Sequence, residues 1–174
     1  MSGTAHIYDA DINPTKQEIA ARYGAITSYD GSYRLVDFEG DQVGIEVYVG
    51  RDIEGRFSQM PVTYRSAEID PLATLTTMEH SVLGQRYVSN ALADPVAVRE
   101  FIRTIITGDD GAAYSNGTTP TLDVRGSGEE PDVTVGEVKL TESTRQRAMG
   151  TVVIDGARRS FKLRMPNLLK PARI

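Results

Sequence analysis

The sequence predicts an α+β fold in which antiparallel strands carry the core and two helices pack beside them. Val43, Ile45, Val47 and Val49 supply the strongest strand evidence, because they alternate onto one face of a run whose successive side chains point oppositely. The strongest helix evidence is Asp94 and Pro95 ahead of Val98, Phe101, Ile102 and Ile105 at helical spacing, with Gly108 as a stop. Asp155-Gly156 adds a two-residue turn for an antiparallel β-hairpin near the C-terminal end.

From the N-terminus, Asn13 has an N-cap side chain, Pro14 suits the first helical position and Gly24 offers a left-handed stop. A short helix is predicted over 14–23, with Ile19 and Tyr23 on its buried face. Tyr33–Phe38 and Val43–Val49 then form a hairpin around Glu39-Gly40-Asp41-Gln42. A third strand, Phe57–Arg65, contains Pro61, which cannot donate to a ladder and so belongs at an edge or a bulge. In the second helix Asp94 contributes the ~0.5–2 kcal/mol of an N-cap. Between Gly108 and Asp132, Gly, Ser, Thr, Asp and Pro crowd the chain without apolar periodicity, which predicts a flexible linker or long loop.

Val133–Leu140, Met149–Ile154 and Arg158–Met165 are the last predicted strands. The Asp155-Gly156 turn puts Val152, Ile154, Phe161 and Leu163 on one face and Val153, Arg158, Lys162 and Arg164 on the other. A phase change between Val133/Val135 and Val138/Leu140 marks a bulge at Gly136. The expected organisation is a first domain over 1–108, a connecting stretch over 109–132 and a C-terminal β subdomain over 133–174.

Composition bounds the chemistry. With no cysteine, the chain has no disulfide framework, thiolate zinc site or cysteine nucleophile. Its first dozen residues lack the basic start and apolar run of a secretory signal, and no apolar stretch approaches the roughly 18–20 residues that span a bilayer. A cytoplasmic protein without a membrane partner is expected. The net charge of −5 is uneven: residues 141–174 hold eight Lys or Arg against Glu142 and Asp155, a surplus of six that leaves −11 on residues 1–140. Such a basic end either meets an anion or is a solvated strand face. Nucleic acid is not the expected partner.

Three groups of residues are candidates for function. Glu79-His80-Ser81 contains hydrolase residue types, yet adjacent residues cannot form a triad, and no G-x-S-x-G elbow accompanies them. Tyr64, Arg65, Arg86 and Tyr87 offer aromatic faces and guanidinium forks that suit a sugar ring or a protein interface, or a core. Arg158, Lys162 and Arg164 could hold an anion, without a Walker loop or glycine-rich cradle to complete a nucleotide site. His6 and His80 lack metal-ligand spacing, so neither a metal nor a cofactor is expected.

Several short motifs go further together than singly. Pro14-Thr15-Lys16, Ser32-Tyr33-Arg34, Val43-Gly44-Ile45-Glu46, Pro61-Val62-Thr63-Tyr64-Arg65, Met78-Glu79-His80-Ser81-Val82-Leu83-Gly84, Arg86-Tyr87-Val88 and Asp94-Pro95 occur in one order. Over about residues 5–108 this pattern resembles the N-terminal cap domain of actinobacterial maltokinases. The resemblance implies a curved antiparallel sheet with a packed helix, similar in topology to cystatins, placed ahead of the kinase nucleotide lobe and supplying no catalytic residue. A fainter likeness of residues 133–165 to a nucleotide lobe would align Lys162 with its phosphate-binding lysine. With the chain ending at Ile174, no C-terminal catalytic lobe is expected.

The leading expectation is therefore a non-enzymatic, cap-like protein that binds or regulates a protein partner, a kinase or another enzyme of trehalose, maltose or α-glucan metabolism. A carbohydrate- or nucleotide-binding module is the alternative, using Tyr64, Arg65 and Tyr87 or the basic hairpin. A further alternative is an enzyme centred on Glu79 and His80.

Overall fold

The computed structural model describes residues 3–40 and 43–170. In chain order the strands are β1 (Thr4–Ala5), β2 (Ile12–Asn13), β3 (Ser28–Leu35), β4 (Gly44–Arg51), β5 (Phe57–Arg65), β6 (Thr74–His80), β7 (Gly84–Asn90), β8 (Ala113–Tyr114), β9 (Val135–Ser143), β10 (Arg147–Ile154) and β11 (Ala157–Arg164). Helix α1 (Lys16–Gly24) follows β2, and α2 (Pro95–Thr107) follows β7 after one 3-10 turn. An antiparallel six-stranded sheet, ordered β2-β6-β7-β5-β4-β3, curls through the centre of the α+β fold. A three-stranded antiparallel sheet is ordered β11-β10-β9, and β1 pairs with β8 in parallel.

The central sheet is apolar on both faces because both are covered. On one face α1 packs Ile19 and Ala20 against Tyr48, Met60, Val62, Met78 and Val88. On the other, Ile45, Val47 and Val49 meet Val98, Phe101 and Ile102 of α2, with Ala148, Val152 and Leu163 of the C-terminal sheet. The valine alternation thus marks one buried face, while Glu46 and Tyr48 between those positions are buried under α1.

Helix α1 starts later than predicted. Thr15, not Asn13, is the N-cap: its side chain accepts from Glu18 N, and Glu18 reaches back to Thr15 N at 2.7 Å. This capping box satisfies two orphan donors at once, whereas Asn13 pairs with Glu79 as the end of β2. Nor is Gly24 the stop, since Ala25 takes the left-handed conformation at φ 53°. Gly24 is small for another reason: a Cβ there would lie 2.5 Å from Met60 Sδ. Ile19 is buried and Tyr23 half-buried, as the predicted face required.

Strand β3 begins five residues before the expected Tyr33 and ends at Leu35, short of Phe38, with a register shift between Tyr29 and Gly31. Of the expected turn, Asp41 and Gln42 lie outside the described residues. β5 has the predicted bounds. Its central position looks hostile to Pro61, but β7 pairs only with Val62–Arg65. Pro61 therefore stands where β5 becomes an edge, and further along the Asn167 carbonyl accepts from Gln59 N at 2.8 Å.

Helix α2 follows the prediction at both ends, with Asp94 accepting from Val96 N and Gly108 left-handed at φ 69°. Ile105 departs from it, being 43% exposed while Val98, Phe101 and Ile102 are buried. Asp94 does more than cap, because Arg65 grips both its carboxylate oxygens at 2.8 Å. Apart from the two-residue β8, residues 109–132 run as a long loop along the outer edge of β3, where Ala112 N donates to Arg34 O at 2.8 Å and Thr121 N to Ser32 O at 3.0 Å. At Asp155-Gly156 both residues have positive φ, which closes the β10–β11 hairpin with the predicted faces. A bulge falls between Val135 and Val138 of β9, as the phase change across Gly136 required.

Burial ranks three substitutions. Phe101→Ala should cost about 3–5 kcal/mol, and the solvent-facing Ile105→Ala under about 1 kcal/mol. Asp94→Ala should exceed the ~0.5–2 kcal/mol of a lost cap, since it also strands Arg65. Denaturant unfolding of the three variants checks the order.

Candidate functional site

The chemistry of the central sheet gathers around Glu46, whose side chain is 1% exposed in the middle of β4. Burial pushes its carboxyl pKa up, but Arg34, Lys16 and the hydrogen bonds from Lys16 and Ser32 outweigh that and hold it at about 2. Lys16 Nζ lies 2.8 Å from Oε1 and Ser32 Oγ 2.5 Å from the same oxygen. Arg34 donates to Oε2 at 3.1 Å and the Tyr64 hydroxyl at 2.6 Å. The Tyr48 hydroxyl bonds that of Tyr64, and both phenols are raised well above their ordinary value, first by burial and then by Glu46. The four donors come from three elements: α1, β3 and β5 converge on one carboxylate of β4.

Beside this cluster lies a cavity of about 550 Å³ lined by the N-terminal segment, the β3–β4 end of the sheet and the β6–β7 turn. Lys16, Arg34, Tyr64, His80 and Arg86 all contribute to its wall. His80 Nδ1 accepts from Val82 N at 3.2 Å and Leu83 N at 3.0 Å, so it caps the turn while its ring meets Tyr8 edge-on at 5.6 Å. Burial lowers the His80 pKa, and the positive fields of Arg86, Lys16 and Arg34 lower it further. Arg86 donates to Leu83 O at 2.7 Å, and its buried Nε has no partner among the described residues.

The sheet register divides the candidates named from the sequence. Tyr64 pairs with Val88, and Met78 with Arg86, so Tyr64, His80 and Arg86 share the α1 face and reach the cavity. Arg65, Glu79 and Tyr87 point to the opposite face. Tyr64, Arg65 and Tyr87 therefore do not make a common surface, and Glu79 does not converge with His80. On the C-terminal sheet Arg158 is paired with Glu137 at 2.9 Å, while Lys162 and Arg164 lie exposed on the same face. Lys16, Ser32, Arg34, Glu46 and Tyr48 escaped the functional reading, although four of them sit inside the quoted motifs.

Among the described residues no three His, Asp or Glu side chains gather where a metal could bind, and no helix is long and apolar enough to cross a membrane. What the α1 face offers instead is a wall of fixed cations and phenols set around one buried anion.

Residues 19–94 match the family model of the maltokinase N-terminal cap domain. The resemblance read from the motifs is thereby supported across its centre, from the middle of α1 to the N-cap of α2. Neither a curated protein nor a solved structure matches the chain. The match is to the cap alone, not to a kinase catalytic domain. The cap-like span includes Ser32, Arg34, Glu46, Tyr48, Tyr64, His80 and Arg86, whereas Lys16 lies just ahead of it.

Two titrations have worked-out signs. Glu46 has a depressed pKa, so its contribution to stability is present above the ordinary carboxylate value of about 4.3 and is lost as pH falls through about 2. His80 has a depressed imidazole pKa, so the unfolded chain takes up its proton first and stability should fall as pH drops below about 6.5. Equilibrium unfolding across pH should show both slopes, with Glu46→Gln removing the acid one and His80→Gln flattening the other.

Proposed function

We propose that the protein is a cap-like binding and regulatory module of maltose, trehalose or α-glucan metabolism that catalyses no reaction itself and acts on a protein partner. The packing of α1 on a curled antiparallel sheet supports reading residues 19–94 as a cystatin-like cap. The observation that carries the non-catalytic reading is the engagement of the polar groups within that span. Glu46, with four donors and a carboxyl held at about 2, is too weak a base to take a proton at neutral pH. The Asp37 carboxylate is bound by Arg99 at 2.7 Å, and Asp94 by Arg65. The Nδ1 of His80 is occupied by two backbone donors, and Glu79 lies across the sheet from it.

The test has two arms. The purified chain with Mg-ATP and maltose should show no sugar-dependent ATP turnover. Added to a maltokinase deprived of its own cap, it should change that enzyme's kcat, KM or thermal stability. Turnover that persists through purification would overturn the non-catalytic reading, and a capless kinase indifferent to the chain would overturn the partner class.

A further inference from the structure

We propose that the free edge of β11 is a docking site for an extended acidic segment of a partner protein, which adds as a further strand to the sheet β11-β10-β9. The proposal rests on the partner-binding reading and deepens it by naming the surface and the chemistry of the segment it takes.

The backbone of this edge is aimed outward. The two-residue Asp155-Gly156 turn makes Ile154 and Ala157 the first hydrogen-bonded pair of the hairpin, and at its far end Met165 N donates to Gln146 O at 2.9 Å. The odd-numbered residues of β11 therefore bond to β10. Arg158, Ser160, Lys162 and Arg164 turn their N–H and C=O groups the other way, and among the described residues no strand or loop backbone takes them up. The register with β10 runs from Ala157 to Arg164 without a shift, so the free groups stand in line over the whole strand.

The other edges are covered or broken. Residues 109–132 run along β3, and the part of β5 beyond β7 is met by Asn167 and Leu169, which bond to Gln59 and Phe57. On the far side of the central sheet β2 is two residues long, and β6 shifts register between Thr74 and Thr76. Strand β9 shifts register twice and lies beside α2. The chain thus closes β5 by adding a segment of its own and leaves β11 bare among the described residues.

Charge selects the segment. On the outward face of this sheet Lys139, Arg147, Arg158, Lys162 and Arg164 stand against Glu137 and Glu142. Those two carboxylates are taken by Arg158 and Arg147, and neither Lys162 nor Arg164 forms an ion pair among the described residues. A second copy is a poor occupant, because β11 paired with itself sets cation near cation. Acidic residues opposite Lys162 and Arg164 turn the same charges into cross-strand pairs. On the core side Phe161 is only half-buried, so an apolar residue between the acidic ones covers its remaining surface. The segment that fits therefore alternates acidic and apolar residues and binds by strand addition. Single-stranded nucleic acid fits less well, since no aromatic ring stands on the outward face for a base to stack on.

Backbone amide exchange of the full chain, with and without a blocked peptide of alternating Glu and Val, reads the edge directly. The amides of Ser160, Lys162 and Arg164 should exchange freely in the chain alone and become protected as peptide is added, while those of Arg159, Phe161 and Leu163 stay protected throughout. Ser160→Pro removes an outward N–H and no bond to β10, so it should abolish the new protection and leave the melting temperature unchanged. Lys162→Glu combined with Arg164→Glu should weaken peptide binding about tenfold or more. Edge amides of the unsubstituted chain that stay unprotected at millimolar peptide would overturn the proposal, however the variants fold. Equal protection by a peptide of alternating Lys and Val would overturn the acidic class. Preference for a single-stranded oligonucleotide over the peptide would overturn the protein segment as occupant. A capless kinase that answers Ser160→Pro as it answers the unsubstituted chain would remove β11 from partner binding and leave the regulatory reading standing. Protected amides with an indifferent kinase would overturn that reading and leave the edge site intact.

Discussion

A carboxylate buried to 1% exposure on the central strand pair must be fully compensated or the fold around it does not close. Glu46 meets that demand with Lys16 from α1, Ser32 and Arg34 from β3 and Tyr64 from β5. Each donor arrives only if its own element is in register, so one charge specifies the seating of α1 and of both neighbours of β4. A one-residue slip of β3 would turn Arg34 to the α2 face and leave Glu46 short of a cation. The same convergence builds the cavity, since Lys16, Arg34 and Tyr64 belong to its wall as well as to the cluster.

The opposite face of the sheet is fastened on similar terms. Arg99 of α2 reaches Asp37 and Glu39 at 2.7 Å each and Glu100 at 3.0 Å, and Arg103 bridges Glu100 to Asp109. Arg65 and Asp94 pin the start of the helix to β5. Apolar contacts make up the area of both faces, while these ion pairs fix where each helix begins and how it is turned. The loop over 109–132 completes the arrangement by covering the β3 edge, which would otherwise present unpaired backbone groups to another strand.

How far the sequence discloses this depends on how local each cause is. The hairpin at Asp155-Gly156, the bulge at Gly136 and both caps of α2 are set by residues within a turn of one another, and all are legible. The start of α1 is local too, but two signals compete, and the reciprocal Thr15/Glu18 box outranks the single Asn13. β3 is obscured because Ser28–Ser32 is polar and interrupted by Gly31, so its strand character comes from pairing with β4 and not from its own pattern. The Glu46 cluster is less legible still. Its members are scattered from Lys16 to Tyr64, and only the register brings them together. Yet the motifs quoted for the family resemblance contain Lys16, Ser32, Arg34, Glu46 and Tyr64, so the signal was present as a pattern before it had a physical meaning.

The cluster also fixes the electrostatics of the cavity near neutral pH. With its carboxyl held at about 2, Glu46 stays ionised and keeps Lys16 and Arg34 partly neutralised. His80, lowered from its ordinary value and already accepting two backbone hydrogen bonds, resists adding a further charge. Arg86 stands apart from the Glu46 network, held by its bond to Leu83 O. Lys16 and Arg34 thereby set the charge of the wall because the fold requires them at Glu46.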